Sequence, residues 1–180
     1  MTSTSFYSNE ELQAIGFKQI GRNVLISRKA SIYSAHEIEI GDNVRIDDFT
    51  ILSGKIIIGS NIHISAYCAL YGAKGIYLED YTGISPRTSL FSAMDDFSGD
   101  YLIGPIHPKE KTNVQGGPIT LKKYSQIGTG CVIFPNVTIE EGTVVGAMSL
   151  VNKTLDKWTI YIGIPARKLK ERRKNLLQLL

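Results

Sequence analysis

Two adjacent carboxylates and one histidine stand out as groups that could move a proton during a reaction. Asp95, Asp96 and His107 all lie between Ser92 and Pro118. Carboxylates and imidazoles are common general acids and bases. Adjacent aspartates also stabilise loops and turns, so a catalytic and a structural interpretation both stay open for Asp95 and Asp96. His107 is the alternative base.

The segment that carries these residues differs from the rest of the chain. Residues 92–118 are rich in glycine, proline and charge. A loop of this length inside a compact fold is usually functional or disordered. Its aromatic and aliphatic residues, Phe97, Tyr101 and Ile106, favour order. We therefore predict an extended, ordered loop over 92–118.

The elements that must position this loop show a repeat of six residues. Its aliphatic members are Ile20 to Ile38, Ile40 to Ile76, Leu78 to Leu90 and Leu121 to Val151, each series in steps of six. Small or β-branched residues follow four positions later, for example at Val44, Thr50, Cys68 and Cys131. Short β segments joined by tight corners bury both positions. The pattern predicts an all-β fold, a parallel β-helix prism with three repeats in each coil.

The repeat also divides the chain into parts of a single domain. We expect the β-helix over 19–91 and 119–163. Ser8 and Glu11 form a capping-box pattern, which predicts a short helix within an N-terminal cap over 1–18. Residues 164–180 are predicted to form a C-terminal helix that covers the last coil, because an uncovered coil would leave unpaired strand edges.

Composition excludes several classes of function. The chain has 180 residues and a formal net charge of +3, without a basic and aromatic platform for nucleic acid. No apolar run reaches the roughly 18 residues of a membrane span, and the start lacks the pattern of a secretion signal, so we expect a cytoplasmic protein. Cys68 and Cys131 are expected to be buried thiols. The three histidines lie too far apart in sequence for a compact metal site, so no metal is expected.

Two motifs together resemble a known family. The repeat "[LIV]-G-x-x-x-x" and the closing segment "GIPAR" are similar to those of the hexapeptide-repeat acyltransferases. The resemblance covers most of the chain. It implies a left-handed prism, a homotrimer with its sites between neighbouring prisms, and acetyl-CoA as co-substrate.

Further segments narrow the resemblance. "RIDDF", "ILSGK", "ALYG", "DDFSG", "IFPNV" and "GAMS" look like those of the N-acetyltransferases that modify nucleotide-linked amino deoxy sugars. The resemblance implies dTDP-4-amino-4,6-dideoxyglucose (dTDP-viosamine) as the acceptor.

The resemblance also implies positions that meet acetyl-CoA. They are Thr129, Ala147, Asn152, Lys153 and Arg167, with Lys153 and Arg167 at the phosphate end. Thr129 and Ala147 could instead be small corner residues without a role in binding.

One departure from the family pattern bears on the reaction. O-acetylating members carry a histidine at the start of the long loop, where this chain has Met94, Asp95 and Asp96. An amine with a pKa of about 8 is partly neutral at cellular pH and can attack a thioester directly. Asp95 or Asp96 would then orient the amine and accept its proton. The alternatives are an O-acetyltransferase with His107 as base, and a non-catalytic trimeric scaffold.

Overall fold

The computed structural model describes residues 5–179, so residues 1–4 and 180 of the predicted terminal caps lie outside the described residues. The one α-helix of the described part, α1, spans Asn9–Ile15. The predicted capping box is confirmed: the Ser8 hydroxyl accepts from the Glu11 backbone N–H, and the Glu11 carboxylate accepts from the Ser8 backbone N–H. Leu12 packs the helix onto the core.

The rest of the described chain is built mainly from short strands. In chain order they are β1 (Gln19–Ile20), β2 (Leu25–Ile26), β3 (Ser31–Tyr33), β4 (Ile38–Ile40), β5 (Val44–Ile46), β6 (Ile51–Ile58), β7 (Ile62–Ile64), β8 (Ala69–Leu78), β9 (Gly83–Ile84), β10 (Ser89–Phe91), β11 (Ala93–Asp95), β12 (Val114–Gly116), β13 (Ile119–Leu121), β14 (Gln126–Ile127), β15 (Val132–Ile133), β16 (Thr138–Ile139), β17 (Val144–Val145), β18 (Leu150–Val151), β19 (Thr159–Ile162) and β20 (Arg167–Glu171). Three 3-10 helices span Ala35–Glu37, Lys109–Lys111 and Asn175–Leu179.

Parallel pairing arranges these strands as the three walls of a prism. The first wall contains β1, β4, β13, β16 and the C-terminal parts of β6 and β8. The second wall contains β2, β5, β7, β9, β14, β17 and β19. The third wall contains β3, β10, β15, β18 and the N-terminal parts of β6 and β8. The predicted fold is confirmed as a left-handed parallel β-helix.

The six-residue repeat is confirmed as the origin of the core. From Ile38 onward every aliphatic position of the repeat is at most 2% exposed. Each coil places one such residue on each wall, and coils stack about 4.8 Å apart, so the interior is a continuous column of side chains. Burying one Ile or Leu stabilises the fold by about 1.5–3 kcal/mol. The expected thiols, Cys68 and Cys131, are also buried in this column.

The corners of the prism combine close-packed glycines with larger residues in the left-handed conformation. Where a glycine follows the aliphatic residue the contact can be close, since a Cβ at Gly128 would lie 2.6 Å from the Ala147 backbone N. The left-handed conformation, however, falls on later residues with full side chains. Along the edge between the second and third walls it falls on Phe49, Tyr67 and Arg87, with φ of 59°, 60° and 60°. The Phe49 and Tyr67 rings stack at 4.9 Å between centroids, a contact that regular coils make possible.

The predicted loop leaves the prism as an ordered flap. Strand β11 pairs antiparallel with β12, Ala93 opposite Gly116 and Asp95 opposite Val114. These two strands bring the departing and returning arms of 92–118 side by side. The flap therefore has a fixed base on the edge of the third wall.

The predicted C-terminal helix over 164–180 is wrong. The chain forms β20, which pairs antiparallel with β19, and then the 3-10 helix Asn175–Leu179. Backbone hydrogen bonds with the open edge of β19 outweigh the helical pattern of the leucines, because an unpaired edge is costly. The expected covering of the last coil is thus achieved by a strand. Within residues 5–179, no helix is long and apolar enough to cross a bilayer.

Candidate active site

A cavity of about 820 Å³ lies between the third wall and the flap. Its floor is formed by outward residues of β8 and β10, namely Ala69, Tyr71, Ser89 and Phe91. The flap supplies the opposite side. The volume is that of a typical small-molecule site, with aromatic surface below and polar groups above.

Asp95 lines this cavity. It ends β11, where pairing with Val114 fixes its backbone. The residue is half-buried. Among residues 5–179 we find no hydrogen-bond donor or ion-pair partner for its carboxylate. A carboxylate held in a cavity without a protein partner can receive a donor from a ligand.

Asp96, by contrast, is fully engaged in holding the flap together. Its carboxylate accepts from the Ser98 backbone N–H at 2.8 Å, from Asn113 Nδ2 at 2.7 Å and from Gln115 Nε2 at 3.0 Å. Hydrogen bonds with the Ser98 side chain and backbone, and then with Asn113 and Gln115, hold the pKa of Asp96 below its ordinary value. Asp96 therefore joins the two arms of the flap.

His107 and Lys109 line the same cavity from the flap. The flap thus brings two of the three predicted proton-transfer candidates, Asp95 and His107, to one cavity. Lys109 begins the 3-10 helix Lys109–Lys111. It adds a positive charge to the rim.

Four of the five positions that resemble acetyl-CoA contacts border the third wall. Thr129 and Ala147 lie at consecutive coils before β15 and β18, and the Met148 N–H donates to the Thr129 carbonyl at 2.8 Å. Asn152 and Lys153 follow β18 and are exposed. All four belong to the C-terminal coils, beyond the cavity along the prism.

Arg167 lies elsewhere. It begins β20 and pairs with Ile162 next to the second wall. The residue before it, Ala166, donates its backbone N–H to the Leu150 carbonyl of β18 at 2.8 Å, so Arg167 lies near the edge where the second and third walls meet.

The sequence reasoning missed the aromatic floor of the cavity. The rings of Tyr71 and Phe91 stack with centroids 5.3 Å apart and planes inclined by 18°. Each follows a buried leucine, Leu70 or Leu90, and therefore faces outward on consecutive coils. Aromatic residues directly after the aliphatic position of two repeats were the signal that could have identified them.

The other histidines do not form a metal site. Within the described chain, no group of three or more histidine, cysteine or acidic side chains is arranged to hold a metal ion. His63 instead contacts Asp47, with Nε2 2.7 Å from the carboxylate. A smaller cavity of about 440 Å³ lies beside this pair, lined by Arg45, Asp47 and Tyr67.

The prism, its flap and the cavity between them define the class as a hexapeptide-repeat acyltransferase. No family model matches the chain. It is, however, 41% identical over 172 residues to the dTDP-4-amino-4,6-dideoxy-D-glucose acyltransferase of Escherichia coli, covering 94% of this chain and 90% of that one. The chain belongs to this acyltransferase family.

Solved structures agree with this assignment. AntD, an N-acyltransferase from Bacillus cereus in complex with dTDP and 3-hydroxybutyryl-CoA, has a TM-score of 0.96 and 55% identity, covering 98% of this chain and 95% of that one. A variant of AntD in complex with dTDP-4-amino-4,6-dideoxyglucose and coenzyme A has the same TM-score of 0.96 at 54% identity, covering 98% of this chain and 96% of that one. The galactoside O-acetyltransferase of Escherichia coli K12 is 25% identical over 150 residues, covering 81% of this chain and 70% of that one.

Proposed function

We propose that this protein transfers the acetyl group of acetyl-CoA to the amino group of a nucleotide-linked amino deoxy sugar, dTDP-4-amino-4,6-dideoxyglucose. The observation that carries the proposal is the free Asp95 carboxylate in a ligand-sized cavity. The relatives support the acceptor, because the Escherichia coli enzyme is named for this sugar and AntD has been solved with it.

The reaction needs a neutral amine and a path for one proton. The amine lone pair attacks the thioester carbonyl carbon, and a new C–N bond forms. The C–S bond then breaks, and the electron pair leaves on the sulfur of coenzyme A. Asp95 holds the amine by a hydrogen bond, accepts the proton that the ammonium loses, and passes it to the thiolate.

The candidate coenzyme contacts on the C-terminal coils indicate from which end of the prism the thioester approaches Asp95. The coenzyme would bind along the C-terminal coils of the third wall, at Thr129, Ala147, Asn152 and Lys153. Its thioester would then reach Asp95 from the C-terminal end of the prism. A positive side chain such as Lys153 can pair with the coenzyme phosphates. Arg167, which follows Ala166 at the edge between the second and third walls, would supply a second positive charge for these phosphates.

A homotrimer follows from the same proposal. The edge between the second and third walls exposes Phe49, Tyr67 and Met148 by 46%, 54% and 68%, with Arg87 between Tyr67 and Met148, and a second copy would cover these side chains. Light scattering should then give three times the chain mass of 19.9 kDa. A monomer at working concentration would remove this part of the proposal. The cytoplasmic location stays a prediction from the sequence.

The central test compares an amine with a hydroxyl. Purified protein is incubated with acetyl-CoA and either dTDP-4-amino-4,6-dideoxyglucose or the analogue that carries a hydroxyl at carbon 4, and thiol release is followed. We expect release with the amine alone. Release with the hydroxyl analogue alone would overturn the proposal. A parallel assay with 3-hydroxybutyryl-CoA determines which acyl group is preferred.

The presence of His107 in the cavity makes O-acetylation the second candidate. A hydroxyl is a poor nucleophile and requires a base, which His107 would supply. His107→Ala would then lower kcat/KM by about a hundredfold or more. Under N-acetylation the variant keeps turnover within a few fold of the wild type.

A further inference from the structure

We propose that the stacked rings of Tyr71 and Phe91 form the platform on which the thymine base of the acceptor lies. This inference rests on the proposed function and extends it to the nucleotide end of the substrate. It assigns a binding role to two residues on the cavity floor.

The order of the coils along the third wall carries the first step, since Asp95 follows β10 at the base of the flap. The coenzyme positions occupy coils on the C-terminal side of Asp95. Two substrates that meet end to end at this carboxylate must extend in opposite directions. The remainder of the acceptor therefore extends over β8 and β10, the strands that form the cavity floor.

The chemistry of that floor matches a nucleobase. Tyr71 and Phe91 present one nearly parallel ring pair, with planes inclined by 18°, and Tyr71 is 37% exposed. A flat base stacks on such rings, whereas the flexible pantetheine arm needs no planar surface. On the preceding coil the position next to Tyr71 is Ser53, a residue too small to cover the other face of the ring.

The cavity also supplies a partner for the diphosphate. Lys109 lines the cavity on the flap side, opposite the aromatic floor. In a dTDP-linked sugar the diphosphate lies between the sugar and the nucleoside. Asp95 for the amine, Lys109 for the diphosphate and the Tyr71–Phe91 pair for the base thus account for the three chemical parts of the acceptor within one cavity.

Calorimetric titration with dTDP tests the platform. Tyr71→Leu should weaken dTDP binding about tenfold, as expected for the loss of one base–aromatic stack, and Phe91→Leu, which removes the ring that supports Tyr71, should weaken it by a smaller factor. Tyr71→Phe keeps the ring and should bind dTDP within about twofold of the wild type. The control is Tyr81→Leu, which alters the stacked pair Tyr81–Tyr124 on another edge.

Coenzyme A titration and thermal melting establish that each variant is folded. Leucine variants that bind coenzyme A normally and dTDP as tightly as the wild type would overturn the platform. If Tyr71→Phe loses affinity as much as Tyr71→Leu, stacking is likewise refuted, since the ring alone should suffice. If the wild type fails to acetylate the dTDP-linked amine at all, it is the proposed function that falls. The two failures are therefore distinguishable.

Discussion

At the residue scale, Asp95 and Asp96 are neighbours in the chain but have different surroundings. Asp96 accepts three hydrogen bonds that join the arms of the flap. Asp95 faces the cavity, and no donor from residues 5–179 reaches its carboxylate. We therefore assign a chemical role to Asp95 and a structural role to Asp96.

Asp95→Asn should lower kcat about ten- to a hundredfold while leaving the melting temperature unchanged. The effect is smaller than that of losing a strong base because part of the amine is already neutral. The defect should shrink as the pH rises above about 8, where the neutral amine predominates. Steady-state kinetics from pH 6 to 9 measure it.

Asp96→Asn is the matched control for this prediction. It removes a charged acceptor from Asn113 and Gln115 and should loosen the flap, which proteolysis within 92–118 detects. Equal kinetic defects in the two variants, with equal loss of flap protection, would contradict the division of roles.

At the scale of elements, α1 is tied to the prism by an ion pair. Arg28 Nη2 lies 2.6 Å from the Glu11 carboxylate. Hydrogen bonds from Arg28, and then from the Ser8 backbone, lower the pKa of Glu11 from 4.5 to about 2. A lowered folded-state pKa means that the stabilisation is complete above the unfolded pKa and is lost as the pH falls towards the folded one.

Thermal melting of the wild type and Glu11→Gln tests this linkage. The wild type should melt at the higher temperature above about pH 4.5, and its advantage should decline between pH 4.5 and pH 2. A difference in melting temperature that stays constant over this range would show that ionisation of Glu11 is not involved.

The flap depends on close contact where it returns to the prism. A Cβ at Gly116 would lie 2.3 Å from the Ser92 carbonyl oxygen and 2.7 Å from the Ala93 Cα. Gly116→Ala should displace β12 from β11 and lower kcat/KM at least tenfold. Gly99→Ala in the same flap is the comparison: its φ of 98° also strains an alanine, but its Cβ would meet no atom within 4 Å, so the difference between the variants reports the close contact at Gly116. Activity of Gly116→Ala equal to that of Gly99→Ala would contradict the need for this contact.

The C-terminal strand is fixed to the prism by Arg172. Its Nη1 donates to the carbonyls of Tyr124 at 2.7 Å and Gly142 at 2.9 Å. Arg172→Ala should reduce the free energy of unfolding by about 1–2 kcal/mol, because two partly buried carbonyls lose a charged donor. The exposed neighbour Arg173 provides the control, and Arg173→Ala should change stability by less than about 0.5 kcal/mol. Denaturant unfolding of both variants measures the difference.

At the scale of the whole molecule, the sequence predicts the prism well because its period is set by local geometry. Every coil repeats the same burial, so positions such as Leu70 and Ile133 can be assigned by counting. The C-terminal strand could not be predicted this way. Its hydrogen bonds with the edge of β19 are tertiary contacts, and they outweigh the local helix propensity of the segment. The different surroundings of Asp95 and Asp96 also depend on Asn113 and Gln115, which lie on the returning arm of the flap and reach Asp96 only through the tertiary fold.

The central claim is that one wall of the prism holds both substrates, with the reacting amine at Asp95. A crystal structure of the protein with dTDP-4-amino-4,6-dideoxyglucose and coenzyme A tests it most directly. We predict the amino nitrogen within about 3 Å of the Asp95 carboxylate, with the coenzyme along the C-terminal coils of the third wall. A nucleotide sugar bound in the cavity beside Asp47 and Tyr67, with Asp95 left free, would contradict it.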